Sequence, residues 1–191
     1  MSALTIVTIP DKGLRDKNRP VTKFDVGLQK LIDDMIETLE KADGAGLAAP
    51  QIGQQLQLAI IWTLPEVDDE GNEIEDTREL FVIANPEIYW SSRETVKGIE
   101  GCLSIPGYVG EVERAESIRV RGLDRYGRKF RRRFDDWTAR IFQHEIDHLN
   151  GELYIDKLTG PENIWTEEEF EQMRKERATK NNKERNPTIG D

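Results

Sequence analysis

Apolar positions near the start of the chain predict an amphipathic helix. Between Leu28 and Leu39, apolar residues recur every three or four positions and would share one face of a helix. Asp25 precedes this stretch as a suitable N-cap, and Gly44 or Gly46 would end it, since glycine is common just after the last helical turn. The sequence therefore predicts a helix that begins after Asp25 and ends before these glycines.

Shorter apolar or alternating runs predict strands along the rest of the chain. They cover residues 4–9, 57–63, 80–84, 117–123 and 129–134. The third run would end at Asn85-Pro86, and the last two would form a hairpin around a turn at residues 124–128. Strands interspersed with separate helices indicate an α+β fold.

The end of the chain predicts a helix followed by a polar tail. The helix would cover residues 166–180 and opens with Thr-Glu-Glu-Glu, which is a capping-box pattern. Residues 181–191 are polar and are expected to be disordered. The 191 residues thus divide into one domain over residues 1–165, a C-terminal helix and a tail.

Composition and charge exclude several classes of protein. Hydrophobic residues make up 37% of the chain, and no apolar run approaches the roughly 20 residues that span a bilayer. Residues 4–9 lack a preceding basic segment, so they indicate a strand rather than a signal peptide. The net charge of −10 excludes a generic nucleic-acid binder, which would be basic. The single cysteine, Cys102, excludes an internal disulfide and suits the reducing cytoplasm.

The charges are unevenly distributed along the chain. Residues 66–79 carry eight acids and one arginine, and they sit between two apolar runs as a solvated loop or hairpin would. Residues 120–134 carry seven basic residues and one interior aspartate. This basic hairpin is either a solvated strand face or a docking surface for an anionic partner.

The two histidines of the chain, His144 and His148, lie in the sequence His-Glu-Ile-Asp-His. A helix is predicted here, from residue 135 or 136 to Asn150-Gly151, so both imidazoles would share one face and could bind one metal ion. Glu145 lies between them, where a carboxylate can meet a metal-bound water. The pattern is typical of metallohydrolases. A structural metal site, which would be closed by four protein ligands, is the non-enzymatic alternative.

The spacing leaves the third ligand open. A metzincin would have a histidine at position 154, which is Tyr154. The first candidate is Cys102, which stands among glycines and a proline in residues 98–106, a composition that indicates a shaped loop rather than core packing. A gluzincin-like peptidase would make Cys102 dispensable and use a downstream glutamate. The candidates for that ligand are Glu167, Glu168, Glu169 and Glu171.

Three segments together resemble the peptide deformylase family. Residues 44–51 read Gly-Ala-Gly-Leu-Ala-Ala-Pro-Gln, residues 100–104 read Glu-Gly-Cys-Leu-Ser, and residues 143–148 read Gln-His-Glu-Ile-Asp-His. Their order and spacing are similar to the family's, and the similarity extends from about residue 5 to residue 158. The resemblance implies a small α+β fold of mostly antiparallel sheets around the metal-bearing helix, followed by a C-terminal helix. It also implies an enzyme that removes formyl from the N-terminal formyl-methionine of newly made polypeptides and releases formate.

The resemblance also implies a role for each motif residue. One divalent metal ion, expected from the family to be Fe²⁺ although Zn²⁺, Ni²⁺ or Co²⁺ would suit the same donors, would be held by Cys102, His144 and His148. Glu145 would take the proton of the attacking water and pass it to the leaving amine. The side-chain amide of Gln51 and the backbone N–H of Leu103 would stabilise the developing oxyanion.

Further residues would support the ligand loop and the substrate. Glu100 and Arg114 match a pair that braces the cysteine loop. An apolar pocket for methionine would include Gly44, Gly46, Trp137 and Ile141. Implied partners are formyl-methionyl nascent peptides and, transiently, the ribosome, with no membrane and no sequence-specific nucleic acid.

Three positions depart from the family's pattern. Ala45 stands where some members carry a larger apolar residue, and Val109 where some carry an arginine that binds the substrate backbone. Arg140 lies one helical turn before His144, where other members are apolar. A buried guanidinium must reach a carboxylate or emerge at the rim of the pocket. Two hypotheses follow for Arg140: it snorkels to solvent, or it lines the substrate entrance and partly replaces the backbone-binding arginine that is absent at Val109.

Overall fold

Two antiparallel sheets and a helix that contacts both form the frame of the molecule. The computed structural model describes residues 3–65, 67, 68, 70, 72, 74 and 77–185, with side chains as far as residue 179. The helices are α1 (Val26–Lys41), α2 (Asp136–Leu149) and α3 (Glu167–Arg185). The strands are β1 (Gly46–Ala48), β2 (Leu58–Trp62), β3 (Leu80–Ser91), β4 (Thr95–Cys102), β5 (Ile105–Ala115), β6 (Ser117–Leu123), β7 (Lys129–Asp135) and β8 (Ile164–Thr166).

The strands divide unequally between the two sheets. The larger has the order β1-β2-β3-β6-β7 and the smaller the order β4-β5-β8, and every pairing is antiparallel. In each sheet, an edge strand carries part of one of the motif segments. This strand is β1 in the larger sheet and β4 in the smaller one. The predicted α+β class is confirmed.

Helix α1 forms as its apolar spacing predicts. The Asp25 carboxylate accepts a hydrogen bond from the Leu28 N–H at 3.1 Å and caps the first turn. Along the buried face, Ile32, Met35 and Leu39 have no exposed surface. The helix ends at Lys41, before the predicted glycines.

Helix α2 packs one face against the larger sheet and turns the other towards the smaller one. Phe142 is fully buried and stacks on Phe134 of β7 with ring centroids 3.9 Å apart, while Phe81 of β3 meets both rings edge-on. Ala139 and Leu149 complete this buried stripe at helical spacing. The core therefore fixes the rotation of α2, and with it the direction of the histidine-bearing face.

The hairpin of β6 and β7 matches its predicted arms closely. Its arginines contact neighbouring acids and aromatic rings: Arg121 pairs with Glu87, and Arg131 donates to Tyr89 Oη at 2.7 Å. Arg119 lies over the ring of Trp90. These contacts favour the solvated strand face over a docking surface.

Two strand predictions were wrong. Residues 4–9 form no ladder, because Val7 N–H donates to Gln51 and Ile9 N–H to Ser104, two separate segments of the chain. Strand β3 continues through Pro86 to Ser91 instead of ending there. A register shift between Ala84 and Glu87 accommodates the proline, and the Asn85 amide pairs with both backbone groups of Val21. The strand continues past the proline because these contacts replace the hydrogen bonds of the strand ladder at that point.

The ends of the predicted C-terminal elements also differ. Helix α3 begins at Glu167 with reciprocal hydrogen bonds between Thr166 and Glu169, which confirms the capping box. It extends to Arg185, five residues beyond the expected boundary. The rest of the predicted tail, residues 186–191, lies outside the described residues, as does part of the acidic segment 66–79. None of the helices in the described ranges is long and apolar enough to cross a bilayer.

Candidate active site and metal centre

Helix α2 places His144 and Glu145 on the wall of a cavity of about 530 Å³, while His148, on the next turn, is fully buried. The rings of His144 and His148 lie 4.9 Å apart between centroids, as expected four residues apart on a helix. Asn150 caps the end of α2, and Gly151, with φ of 77°, turns the chain away after it. The helix thus ends one residue after the second histidine.

Strand β4 brings Cys102 to the same point. Cys102 is the last residue of β4, and a tight turn through Leu103 and Ser104 returns the chain into β5. The Cys102 Sγ atom lies 3.2 Å from His148 Nε2. This turn therefore delivers a thiol from one sheet to imidazoles on the helix.

Among the described residues, Cys102, His144 and His148 form a group that could hold a metal ion. Their ligand atoms lie within 4.8 Å of one another. One sulfur and two imidazole nitrogens leave a fourth tetrahedral position for water or substrate, which is the donor set of a catalytic rather than a closed structural site. The glutamates of α3 do not join the group, so the geometry favours Cys102 over a gluzincin ligand.

Glu145 is buried beside this group with an unsatisfied oxygen. Its side chain lines the cavity although the residue is only 3% exposed, and its Oε2 has no hydrogen-bond partner in the described part of the chain. Burial raises the pKa of Glu145 to about 7, with the charge of His144 opposing the shift. A buried carboxylate with a pKa near neutrality and a free oxygen is suited to general base work.

The two histidines differ in their surroundings. Burial lowers the pKa of His148 well below its usual value, and the nearby charge of His144 adds to this. Burial alone would lower the pKa of His144 too, but Cys102, Glu100 and Glu145 raise it. The His144 Nδ1 atom lies 2.9 Å from Glu100 Oε2, which leaves Nε2 to face a metal ion.

Gln51 presents the amide nitrogen of its side chain towards the cysteine. Its Oε1 accepts a hydrogen bond from the Ala48 N–H at 2.8 Å, which fixes the orientation of the amide. Its Nε2 then lies 3.5 Å from Cys102 Sγ and 3.3 Å from Ser104 Oγ. The amide is therefore held by a backbone contact at one end and offers donors to the cavity at the other.

Glu100 and Arg114 form the expected pair in a fully buried setting. Arg114 Nε donates a hydrogen bond to Glu100 Oε1 at 2.9 Å, and Arg114 Nη2 donates one to Glu100 Oε2 at 2.8 Å. Its Nη1 bonds to Asp147 of α2. Burial opposes the charge of Glu100, but hydrogen bonds from Arg114 and His144 hold the pKa of this carboxyl far below its usual range.

The structure excludes one of the two hypotheses for Arg140, whereas Arg140 does line the cavity, as the other expected. Its side chain is 7% exposed, so the guanidinium does not snorkel to solvent. It instead reaches the Glu100 carboxylate, because a buried guanidinium needs an anionic partner. Its Nη atoms bond to Glu100 and to two backbone carbonyls, contacts that an arginine reserved for the substrate backbone would not make.

The expected pocket residues line one cavity. Gly44, Gly46 and Ile141 line it together with Trp137, which is 40% exposed. Their arrangement gives the cavity an apolar wall beside the metal ligands. All predicted site residues except His148 and Arg114 thus line this one cavity, and both exceptions contact residues that line it.

Some residues of the site have no role in the sequence-based prediction. Ser104, which meets the Gln51 amide, stands inside the Glu-Gly-Cys-Leu-Ser segment, but no role was predicted for it. The Tyr154 ring stacks on the His144 ring, with an angle of 20° between the two ring planes. The Asp147 carboxylate accepts a hydrogen bond from Arg114. Asp147 could have been found, since it lies within the histidine motif three residues after His144.

Comparison with known proteins gives a consistent picture. The family model described as Polypeptide deformylase matches residues 3–163. A peptide deformylase of Bartonella tribocorum is 42% identical over 179 residues, which cover 94% of this chain and 97% of that protein. One of Symbiobacterium thermophilum is 47% identical over 160 residues, 84% of this chain and 69% of that protein.

Solved structures agree with the sequence comparison. The crystal structure of a peptide deformylase from Legionella pneumophila superimposes with a TM-score of 0.72 at 44% identity. The match covers 82% of this chain and 86% of that one. The fold and the sequence thus point to the same relatives.

Proposed function

The chain belongs to the peptide deformylase family, and we propose that its site is formed by Cys102, His144 and His148 as metal ligands with Glu145 as the general base. The protein is an enzyme that removes formyl from the N-terminal formyl-methionine of newly made polypeptides and releases formate. The observation that carries the site assignment is the meeting of three ligand atoms within 4.8 Å beside a buried, unpaired carboxylate oxygen.

The residues fit one divalent metal ion, as their donor set and spacing require. When bound, such an ion activates a water molecule and polarises the formyl oxygen. Glu145 takes a proton from the attacking water at its free Oε2 and delivers it to the leaving amine. The reaction then yields formate and a free amino terminus.

Two donors would stabilise the oxygen that gains negative charge. The Gln51 Nε2 group is held towards the cavity by the bond between its Oε1 and Ala48. Leu103, whose backbone N–H would be the second donor, follows the cysteine ligand in the same turn and lines the same cavity. Donors fixed before the reaction begins are the kind that stabilise a developing oxyanion most effectively.

The methionine side chain would enter the apolar part of the cavity. Ile141 is buried on α2, and Trp137 covers the rim. Gly44 and Gly46 also line the cavity and carry no side chain, and Gly46 is the first residue of edge strand β1. An unbranched thioether side chain suits such a narrow apolar space.

The metal and the cellular setting are further parts of the proposal. Fe²⁺ is the expected native ion, since a mixed thiolate and imidazole set accepts ferrous iron as well as Zn²⁺, Ni²⁺ or Co²⁺. Because the substrates are newly made polypeptides, the enzyme would act in the cytoplasm. Metal analysis of anaerobically purified protein tests the first point.

Residues 1–165 would form the catalytic domain, with α3 attached behind it. The family model ends at residue 163, and the Trp165 ring contacts Phe170 where α3 begins. From residue 166 to 185, six acids balance six bases, so α3 lacks the basic face that RNA attracts. Any contact with the ribosome would therefore be transient.

Formate release from a formyl-Met tripeptide by the anaerobically purified protein tests the function directly. The acetyl-Met tripeptide is the matched substrate control, and Glu145→Gln the matched protein control. We expect formate from the formyl peptide alone and almost none from the variant. A metal-loaded protein that released no formate would overturn the proposal.

A further inference from the structure

The buried guanidinium of Arg140, a residue that lines the same cavity as Cys102 and His144, joins three elements. Its Nη1 donates to Glu100 Oε1 at 2.8 Å and to the Val112 carbonyl at 3.0 Å. Its Nη2 donates to the Val96 carbonyl at 2.5 Å. A residue of α2 is thereby bonded to both strands of the β4–β5 hairpin.

These bonds complete the set of contacts on the Glu100 carboxylate. Oε1 accepts from Arg114 and Arg140, and Oε2 accepts from Arg114 and meets His144 Nδ1. An ionised carboxylate offers about four acceptor positions, so all of them are engaged. A carboxylate held from four sides cannot rotate, and this fixes the imidazole of His144 against it.

The geometry also aligns the two elements that supply the ligands. Cys102 comes from the end of β4, whereas His144 and His148 come from α2. Arg140 and His144 lie one turn apart on α2, and both contact the same carboxylate of β4. These two contacts therefore fix the distance between α2 and β4 close to the residues that would bind the metal ion.

Gly98 shows that β4 is shaped to receive the guanidinium. A Cβ placed on Gly98 would stand 2.8 Å from Arg140 Cζ and 2.9 Å from its Nη2. Gly98 pairs with Val112 in the β4–β5 ladder, so the guanidinium crosses the hairpin at this pair. Any larger residue at this point would push the guanidinium away from Glu100.

We propose that Arg140 is a positioning residue for the metal centre, an inference that rests on the proposed function. It acts through Glu100 on His144 and holds α2 at the distance from β4 at which the histidines and Cys102 converge. Although Arg140 lines the cavity, its Nη atoms are engaged by Glu100 and two carbonyls, so we expect no role for it in substrate binding. The role of Arg140 lies in metal retention and in the orientation of the ligand.

The test measures Co²⁺ affinity by competition with a chelator, together with the absorption spectrum of the Co²⁺ form. Arg140→Met keeps the apolar stem, and we expect about 10- to 100-fold weaker Co²⁺ binding with an altered spectrum, since loss of such supporting partners has effects of that size. Arg140→Lys should recover part of the affinity, because one ammonium can still reach Glu100. KM for formyl-Met peptides should be unchanged once metal is saturating. Arg121→Met, which removes an exposed arginine that also pairs with a carboxylate, is the control and should change none of these quantities.

A second variant keeps every donor and acceptor in the chain. Gly98→Ala displaces the guanidinium sterically and should weaken Co²⁺ binding in the same direction. The double variant Gly98→Ala with Arg140→Met should be no worse than Arg140→Met alone, because both act on one contact. The Gly98→Ala variant therefore tests the role of Arg140 even if Arg140→Met does not fold.

The outcomes separate this inference from the proposed function. If the unaltered protein bound no Co²⁺ through its thiolate, the proposed function would fail and the inference with it. If it bound Co²⁺ but Gly98→Ala and the Arg140 variants lost only thermal stability, with unchanged Co²⁺ affinity and spectrum, Arg140 would be a structural residue and the inference would be overturned. A raised KM at full metal occupancy would likewise overturn it in favour of substrate contact.

Discussion

Gly46 lies against Glu145 so closely that a Cβ on this glycine would stand 2.3 Å from Glu145 Oε1. Gly46 begins β1, an edge strand of the larger sheet, whereas Glu145 projects from α2. The proposed base is therefore confined by backbone rather than by a polar partner. This leaves its Oε2 free for a proton while restricting where the carboxylate can move.

Gly46→Ala should consequently displace the base. Even a shift of about 1 Å in a reacting group can reduce turnover by about 100-fold, so we expect a kcat loss of that order with metal content unchanged. Steady-state kinetics and metal analysis of the same sample make the measurement. Gly27→Ala, at the start of α1 and far from the chemistry, is the matched control. Normal kcat in Gly46→Ala would show that Glu145 tolerates the displacement or is not the base.

Glu145→Gln tests the base without changing its shape. The amide cannot accept the proton of water, so kcat should fall by about three orders of magnitude or more while metal content stays normal. Glu152→Gln alters an exposed glutamate that pairs with Lys157 and should leave kcat unchanged. An active Glu145→Gln enzyme would assign the proton transfer to another group.

Gln51→Ala tests the proposed oxyanion donor. Removal of one such donor reduces kcat by about 10²- to 10³-fold, and KM should change little. Gln54→Ala removes an exposed glutamine from the same segment and serves as the control. An effect on KM alone would reassign Gln51 to ground-state binding.

Cys102→Ala compared with Glu168→Ala decides between the two ligand hypotheses. Loss of the thiolate should abolish metal binding or weaken it severely, because it removes one of the three proposed protein ligands. Glu168 is exposed on α3, and its removal should leave metal affinity unchanged. Metal titrations of both variants give the comparison, and the reverse result would support the gluzincin ligand.

Local sequence signals predicted the elements whose structure is decided locally. Helix α1 follows from its apolar spacing and from the Asp25 cap, and the β6–β7 hairpin follows from alternation around a turn. The proposed metal ligands were predicted because the histidines share a helix and the cysteine lies in a glycine-rich loop. Each of these signals depends on neighbours within a few residues.

Long-range contacts decided what the sequence could not predict. Strands β1 and β8 have three residues each, too few to show a periodic pattern. The course of β3 past Pro86 depends on the contact of Asn85 with Val21, 64 residues away. The buried position of Arg140 depends on the space that Gly98 leaves 42 positions earlier in the chain. No local pattern records these contacts.

The raised pKa of Glu145 predicts how the stability of the metal-free protein depends on pH. Burial raises this pKa from 4.5 to about 7, so the folded state binds a proton that the unfolded state releases between these values. The folded metal-free protein should therefore lose stability as the pH rises from about 4.5 to 7, and by an amount on the order of 3 kcal/mol from this group. Glu145→Gln keeps the shape but cannot ionise, so in chelator its stability relative to the unaltered protein should rise by that order between pH 5 and pH 8. Urea unfolding of both proteins at the two pH values measures the difference, since titrations that they share cancel. An equal difference at both pH values would show that the Glu145 carboxyl is not held near neutrality, and that its readiness to exchange a proton arises only when metal is bound.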